Sequence, residues 1–125
     1  MKADGQARFT FPREVRLRRR PEFLRVQEQG HKLTADCLLC LVLPNGRDDG
    51  ATRLGLTVSS KVGNAVVRNR IRRRLREFYR HERAGLPRGM DLVFIARPSA
   101  AEADTARLRR AFDRVTSDLK KRVAR

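Results

Sequence analysis

An arginine-rich segment with a regular apolar stripe constrains this chain more than any other feature. Its apolar residues recur at spacings of four, four and three, the period of one helix face: Val67, Ile71, Leu75 and Phe78. Between residues 68 and 80 the segment also carries seven arginines and one acidic residue, Glu77. The pattern predicts a helix that follows Gly63 and an Asn64 N-cap and runs to about Arg83. One face of this helix packs against a core, and the opposite face holds the cations outward.

The arginines of this helix are costly unless they bind something. Like charges four residues apart, such as Arg72 and Arg76, destabilise an isolated helix by about a few tenths of a kcal/mol per pair. An ordinary solvated helix face would interleave glutamates, so we interpret the repeated arginines as a binding surface for a polyanion.

The charge of the whole chain agrees with a polyanionic partner. Its 125 residues include 30 Lys and Arg against 14 Asp and Glu, a net charge of +16. Arginine supplies 25 of these cations and grips phosphate bidentately, although an arginine bias can also reflect genome base composition. Nucleic acid is the favoured partner. The alternatives are a solvated surface that keeps the chain soluble, or an anionic membrane surface, which requires a helix with a bulky apolar face.

Length and composition predict a single domain without membrane spans. No stretch approaches the roughly 18 apolar residues that a membrane span requires, and the N-terminus lacks the apolar core of a signal peptide. Two cysteines are too few for a disulfide scaffold. We expect a cytoplasmic protein with a basic, flexible extension over residues 1–16 and one nucleic-acid-binding domain over residues 17–125.

Two continuous apolar runs, residues 37–43 and 90–96, predict strands that are buried on both faces of a sheet. A third segment, 52–60, alternates apolar and other residues. We expect it to pair with 37–43 as a hairpin around the turn-rich loop 44–50. A short extra strand fits residues 31–34.

Two further helices complete the predicted order. The first spans about 20–29, from Pro21 in its first turn to Gly30 at its end. The last follows a cap at Ser99 or Asp104. Apolar residues recur on one face of this last helix: Leu108, Phe112, Val115, Leu119 and Val123. The order α-β-β-(β)-α-β-α predicts an α/β (α+β) two-layer sandwich of three helices and a small, mainly antiparallel sheet.

Candidate catalytic and metal-binding groups are sparse. On a strand, Cys37 and Cys40 would point to opposite faces with Cα atoms about 10 Å apart, beyond the roughly 7 Å that a disulfide allows, so we expect reduced core thiols. His31 and His81 have no obvious nucleophile or carboxylate partner. The aspartates are scattered rather than clustered for two metal ions: Asp36, Asp48, Asp49 and Asp91. An active site made by the protein alone is disfavoured.

The segment 59–77 resembles the signature of the protein subunit of bacterial ribonuclease P; it reads SSKVGNAVVRNRIRRRLRE. In that family a strand ending in serine leads through a Lys-x-Gly-x-Ala-Val turn into an Arg-Asn-Arg helix. The matching positions are Lys61, Gly63, Ala65, Val66, Arg68, Asn69, Arg70, Arg73 and Arg76. The resemblance extends to the start of the first helix at Phe23 and to the strand that ends at Arg97.

The resemblance implies a protein that binds RNA, while its RNA partner catalyses the reaction. In the family, the RNA subunit is a ribozyme that removes the 5′ leader of precursor tRNA, using Mg²⁺ that the RNA mainly binds. The protein binds that RNA subunit and the leader, broadens the substrate range, and has no catalytic residues, no bound metal of its own, and no required protein or membrane partner. Its fold is like the second domain of ribosomal protein S5, with a left-handed β-α-β crossover.

The resemblance also assigns roles to individual residues. Those expected to border a cleft for the single-stranded leader are Phe23, Arg68, Asn69, Arg72 and Arg76. Those expected to face the ribozyme are Lys61, Arg70, Arg73 and Arg74. Gln27 stands where family members often have a second aromatic residue, and a strand aromatic expected near Leu38 or Leu41 is missing. We therefore expect leader binding to depend more on phosphate contacts than on stacking. A ribosomal protein of the same fold is the main alternative, but such proteins lack the 59–77 signature.

Overall fold

A computed structural model describes residues 16–17, 20–47 and 49–124. They form three helices and one four-stranded sheet. The helices are α1 (Arg20–Gln29), α2 (Ala65–Glu82) and α3 (Thr105–Ala124). The strands are β1 (His31–Ala35), β2 (Leu38–Pro44), β3 (Arg53–Thr57) and β4 (Met90–Ala96). Short 3₁₀ helices follow α2 at Arg83–Gly85 and precede α3 at Pro98–Glu102.

The strand order is β1-β2-β4-β3, with antiparallel pairs except for the parallel pair β3–β4. The predicted extra strand at 31–34 is confirmed as β1. The predicted hairpin between 37–43 and 52–60 is wrong, because β4 lies between β2 and β3. A two-residue turn at Asp36 and Cys37 pairs β2 with β1, and Asp36 has a φ of 50° that aspartate tolerates in turns. Only one edge of β2 then remains, and β4 occupies it.

Helices cover both faces of the sheet. Alternate residues of β2 and β4 belong to two separate apolar clusters, so Leu41 and Val93 pack towards α1. Cys40 and Phe94 pack towards α2 and α3. Phe94 also stacks on Phe112 of α3, with ring centroids 5.2 Å apart. The prediction that both continuous apolar runs are strands buried on two faces is confirmed.

Local capping explains where the helices begin. The Asn64 side chain accepts a hydrogen bond of 3.0 Å from the Val67 amide, which confirms the predicted N-cap of α2. Asp104 caps α3 by accepting from the Arg107 amide at 2.8 Å. Ser99, the other predicted cap, lies inside the second 3₁₀ helix.

The two cysteines are buried and free, as predicted. Cys37 lies in the turn before β2, so the expectation that both cysteines lie on one strand is wrong.

Most of the predicted extension, residues 1–15, lies outside the described residues. Arg16 forms a parallel bridge with Leu54 at the free edge of β3. Among the described helices, none combines the length and apolar character that crossing a membrane requires.

Candidate nucleic-acid interface

The helix α2 is anchored by the side that the apolar stripe predicted. Ile71, Leu75 and Phe78 are buried, and Tyr79 adds a fourth buried side chain that the stripe did not include. The Tyr79 hydroxyl donates a hydrogen bond of 3.4 Å to the Thr52 carbonyl, which ties the helix to the start of β3. The arginines therefore project from a helix whose orientation is fixed by packing.

A small cleft opens at the free edge of β3, between α1, β3 and α2. Its volume is about 200 Å³. The cleft is lined by Arg16, Leu17, Phe23, Leu54, Leu56, Arg72 and Arg76. We call it the β3-edge cleft. Three residues that the sequence analysis assigned to a leader cleft, Phe23, Arg72 and Arg76, thus come together from two helices.

Phe23 reaches the β3-edge cleft because β3 has a glycine beneath it. A β-carbon on Gly55 would lie only 2.6 Å from Cε1 of the Phe23 ring, closer than any side chain allows. The ring therefore lies directly over the strand backbone and stays half-buried. One part of the ring packs on the sheet, and the rest is available to the cleft.

Arg72 is held in place by two hydrogen bonds. Its Nη1 donates to Oδ1 of Asn69 at 3.1 Å, and its Nη2 donates to the Val58 carbonyl at 3.2 Å. Arg76, one turn further along, is exposed and has no hydrogen-bond or ion-pair partner among the described residues. The cleft therefore offers one oriented guanidinium and one that is available for a ligand.

A buried charge network fixes α1 over the sheet. The Arg53 guanidinium donates to both oxygens of the fully buried Asp91, at 2.9 and 2.8 Å, and its Nη1 donates to Glu22 of α1 at 2.7 Å. Asn45 donates to the same aspartate at 3.0 Å, and Arg25 of α1 lies 3.8 Å from it. Glu22 immediately precedes Phe23, so this network sets the position of the ring at the cleft.

The remaining predicted residues of α2 lie around the cleft or away from it. Arg68 is half-buried and does not line the cleft, whereas Asn69 contacts it only through Arg72. Arg70 points to the other side of the helix, where its Nη2 donates to the Ala101 carbonyl at 3.1 Å. Arg73 is exposed, and Arg74 is half-buried.

Lys61 is exposed in the turn before α2, where its amide donates to the Ser59 hydroxyl at 3.3 Å.

The last turns of α2 differ from the first because their positive charge is partly neutralised. The Glu77 carboxylate lies 3.0 Å from Nε2 of His81 and accepts a hydrogen bond from Arg80. These two contacts, His81 first, lower the pKa of Glu77.

Three buried Nε atoms, in Arg68, Arg70 and Arg80, have no hydrogen-bond partner among the described residues. Unsatisfied buried donors are unusual in folded proteins. No group of three or more His, Cys, Asp and Glu side chains that could hold a metal ion occurs in the described part of the chain.

A family model described as Ribonuclease P matches residues 11–120. The chain belongs to the ribonuclease P protein family. It is 46% identical over 96 residues to the ribonuclease P protein component of Desulfovibrio desulfuricans, which covers 77% of this chain and 74% of the relative. It is 49% identical over 94 residues to that of Citrifermentans bemidjiense, covering 75% and 78%.

Solved ribonuclease P proteins share the fold. The protein from Staphylococcus aureus superposes with a TM-score of 0.77 at 28% identity, covering 82% of this chain and 93% of that one. The protein from Thermotoga maritima superposes with a TM-score of 0.74 at 32% identity, covering 82% and 96%. The predicted α+β class is confirmed, and the alternative of a ribosomal protein is wrong. As a ribonuclease P protein component, the chain is part of a ribonucleoprotein endoribonuclease and an RNA-binding protein of tRNA processing.

The positions where this ribonuclease P protein departs from its family's aromatic pattern have different surroundings. Gln27 is exposed on α1, one turn after Phe23. Leu41 is buried in the cluster beneath α1, whereas Leu38 is buried on the opposite face of the sheet. The described cleft therefore contains one aromatic side chain, Phe23.

The sequence patterns did not identify several of the residues that line the β3-edge cleft. Arg16 and Leu17 reach the cleft through the bridge to Leu54, and Gly55 makes room for the aromatic ring. Local periodicity carries no signal for these contacts, because each depends on which segment borders the free edge of β3.

Proposed function

We propose that this chain binds the 5′ leader of precursor tRNA in the β3-edge cleft and the RNA subunit of ribonuclease P through the adjoining surface of α2. The RNA subunit carries out the hydrolysis that produces the mature tRNA 5′ end. The observation that supports this proposal most strongly is the convergence of Phe23, Arg72 and Arg76 on one cleft.

The chemistry of the cleft suits a single strand of variable sequence. Guanidinium groups bind phosphates without reading base edges, and an aromatic face stacks on any base. Arg72 and Arg76 supply the first kind of contact, and Phe23 supplies the second. Because Phe23 is the one aromatic side chain among the described lining residues, phosphate contacts carry more of the affinity than stacking does.

The surface for the RNA subunit begins beside the cleft and continues around α2 to the side that carries Arg70. We assign to it Lys61, Arg70, Arg73 and Arg74. Lys61 and Arg73 are exposed, and the buried stripe of α2 keeps the helix rigid. Because the helix backbone is already ordered, binding of a structured RNA has no cost for ordering it, which favours affinity. Arg68 and Asn69 lie between the two surfaces, and we propose that Asn69 acts on the leader by orienting Arg72.

Mg²⁺ is proposed as the cofactor of the assembled enzyme, bound mainly by the RNA subunit, where it stabilises charge on the reacting phosphate. The protein's own contribution is electrostatic. Its net charge of +16 offsets phosphate repulsion when leader and RNA subunit are brought together, which lowers the Mg²⁺ requirement and broadens the range of precursors that are cleaved. We place this assembly in the cytoplasm, with no membrane or further protein partner required.

Reconstitution tests the proposed function. We expect the purified protein alone to leave precursor tRNA intact, and cleavage at the mature 5′ end to appear at low Mg²⁺ when the cognate RNA subunit is added. Cleavage by RNA-free protein would contradict the assignment of chemistry to the RNA. Failure of the protein to stimulate the RNA subunit would contradict the proposed role in the enzyme.

A further inference from the structure

A row of cations follows α3 at the edge of the sheet opposite to the β3-edge cleft. The helix packs over β1 and β2, and its side next to β1 repeats basic residues at helical spacing. Together with the residue after β4, this side presents Arg97, Arg107, Arg110, Arg114 and Lys121. We call this surface the α3–β1 face. None of these residues lines the β3-edge cleft or lies on α2.

The positive charge of this face is only partly neutralised. Asp36 of the β1–β2 turn accepts two hydrogen bonds from Arg107, at 2.8 and 2.9 Å, and this pair lowers the pKa of Asp36. Arg97 donates to the Asp36 carbonyl at 3.3 Å. Arg114 is 72% exposed and lies 3.4 Å from Asp118. Asp36 and Asp118 contact members of this face, and Glu102 interacts with Arg107 at longer range, so three carboxylates oppose five cations.

Arg110 forms no ion pair within 4.0 Å among the described residues, although Asp36 lies close enough to interact with it electrostatically. It lines a groove of about 360 Å³ together with Arg114, with Thr34 and Ala35 of β1, and with Asp36 of the β1–β2 turn. An exposed guanidinium that forms no ion pair and lies beside a groove is available to an external anion.

The row is straight and rigid. From Arg107 to Lys121 it extends about 21 Å along the helix axis. Buried side chains hold the opposite face of α3 in the core: Leu108, Phe112, Val115 and Leu119. The cations therefore keep fixed spacings, which suits a partner whose negative charges are also regularly spaced.

The face lacks the features of a single-strand site and of a membrane site. No aromatic side chain belongs to the described α3–β1 face, whereas single-strand binding surfaces stack bases on aromatic rings. Among the described residues of α3, Val123 is the only large apolar residue that is exposed, and membrane-surface helices require a broad apolar face. Double-stranded RNA, by contrast, is bound mostly through its backbone and its shape.

We propose that the α3–β1 face binds the phosphate backbone of an RNA double helix. Three strand spacings, about 14 Å, separate β1 from β3, so this contact is independent of the leader cleft. The protein would then hold a single strand at one edge of the sheet and a double helix at the other. The helix could belong to the RNA subunit or to another structured RNA, and both share the chemistry that this face recognises.

A matched pair of variants tests the proposal in the full-length protein. Arg110→Glu reverses a charge within the row, and Lys120→Glu makes the same change on the side of α3 that faces away from β1. Neither residue forms an ion pair among the described residues, so both variants should fold. Arg110→Gln provides a milder form of the first change, and thermal melting verifies folding of all three.

Binding is measured to a fully paired RNA hairpin of about 16 base pairs, the span that other double-strand binders cover. We expect Arg110→Glu to weaken hairpin binding about eightfold or more at 0.1 M salt, and to reduce the salt slope by about 0.9, the value per contact for a double helix. Lys120→Glu should change both quantities much less. Binding of a single-stranded leader should be the same in the two variants, which separates this proposal from the function of the cleft.

The RNA subunit provides the second arm of the experiment. If Arg110→Glu also weakens its binding, the helix belongs to that subunit; if only the hairpin is affected, another structured RNA is the source. Equal effects of Arg110→Glu and Lys120→Glu on the hairpin would overturn the proposal, because net charge alone would explain them. Loss of binding to anionic vesicles or to an acidic peptide without loss for the hairpin would also overturn it.

Discussion

The two edges of the sheet carry cations in different settings. At the β3 edge, Arg72 is hydrogen-bonded, Phe23 lies beside it, and a buried network holds the neighbouring helix. At the β1 edge, Arg110 and Arg114 stand on the exposed side of α3 without an aromatic neighbour in the described face. The comparison teaches that arginine count alone says little about the form of RNA that is bound. In our proposal, the groups beside each cation decide whether it binds a flexible single strand or a regular double helix.

The largest expected effect is on the free energy of unfolding. It is tested by removing a buried ion pair at one edge of the sheet and an exposed one at the other. Arg53→Ala would leave the fully buried Asp91 without its bidentate partner, and such a loss costs about 3–5 kcal/mol. We expect urea unfolding to show a loss in this range. Because the ion pair between Arg53 and Glu22 of α1 is also lost, leader affinity should fall in the fraction that remains folded.

Arg107→Ala is the matched control, because Arg107 forms the same bidentate bond to an aspartate at the exposed β1 edge. Exposed ion pairs are screened by solvent, so this variant should unfold at nearly the same urea concentration as the parent. Equal destabilisation by the two variants would mean that the network beneath α1 has no special role in holding the β3 edge.

The second prediction concerns the contact between Phe23 and Gly55. Phe23→Ala should weaken binding of a single-stranded leader by about 1–3 kcal/mol if a base stacks on the ring. Gly55→Ala should also weaken binding of the leader, because the added β-carbon displaces the Phe23 ring from the strand. Equilibrium binding of leader oligonucleotides measures both.

Gly85→Ala is the control for the glycine change. Its β-carbon would meet nothing closer than 3.7 Å, so leader affinity should not change. If Phe23→Ala lowered only the unfolding free energy and left leader affinity intact, the ring would be part of the core and the cleft would bind phosphates alone.

The smallest effect at neutral pH concerns Tyr79, the single tyrosine of the chain, which lies beneath the β3 edge. Burial raises the pKa of its hydroxyl from 10.0 to about 12. The folded chain thus holds this proton more tightly than the unfolded chain does. The resulting stability is fully present below pH 10 and is lost as the pH rises towards about 12.

Ultraviolet absorbance titration measures the Tyr79 pKa without interference from other tyrosines. We expect ionisation near the raised value in the folded protein and near the ordinary value in urea. Ionisation near pH 10 in the folded protein would show that solvent reaches the Tyr79 hydroxyl beneath the β3 edge.

Local sequence signals predicted the parts of the fold that depend on neighbouring residues. The spacing of Ile71, Leu75 and Phe78 identified the buried side of α2, and Asn64 marked its start. The two continuous apolar runs identified the central strands, because a strand buried on both faces has no polar alternation. These features require no knowledge of distant contacts.

Strand pairing and the charge network could not be predicted in the same way. The partner of β2 depends on a turn at Asp36 and on β4, which is about fifty residues away along the chain. Glu22, Arg53 and Asp91 meet only after the strands have paired. The family resemblance assigned Phe23, Arg72 and Arg76 to one cleft, but residue patterns alone could not, because the cleft that joins them depends on β3 being an edge strand.

The affinity difference between precursor tRNA and mature tRNA tests the central claim most directly, because the two RNAs differ by the leader. It is measured on the enzyme reconstituted from the full chain and its RNA subunit, for the parent, the Arg72→Ala/Arg76→Ala double variant, and Arg110→Glu. We predict that the double variant loses about 25-fold of the preference for precursor at 0.1 M salt, from two single-strand phosphate contacts, and that Arg110→Glu keeps it. An unchanged preference in the double variant, or its loss in Arg110→Glu, would contradict the division of labour between the two edges.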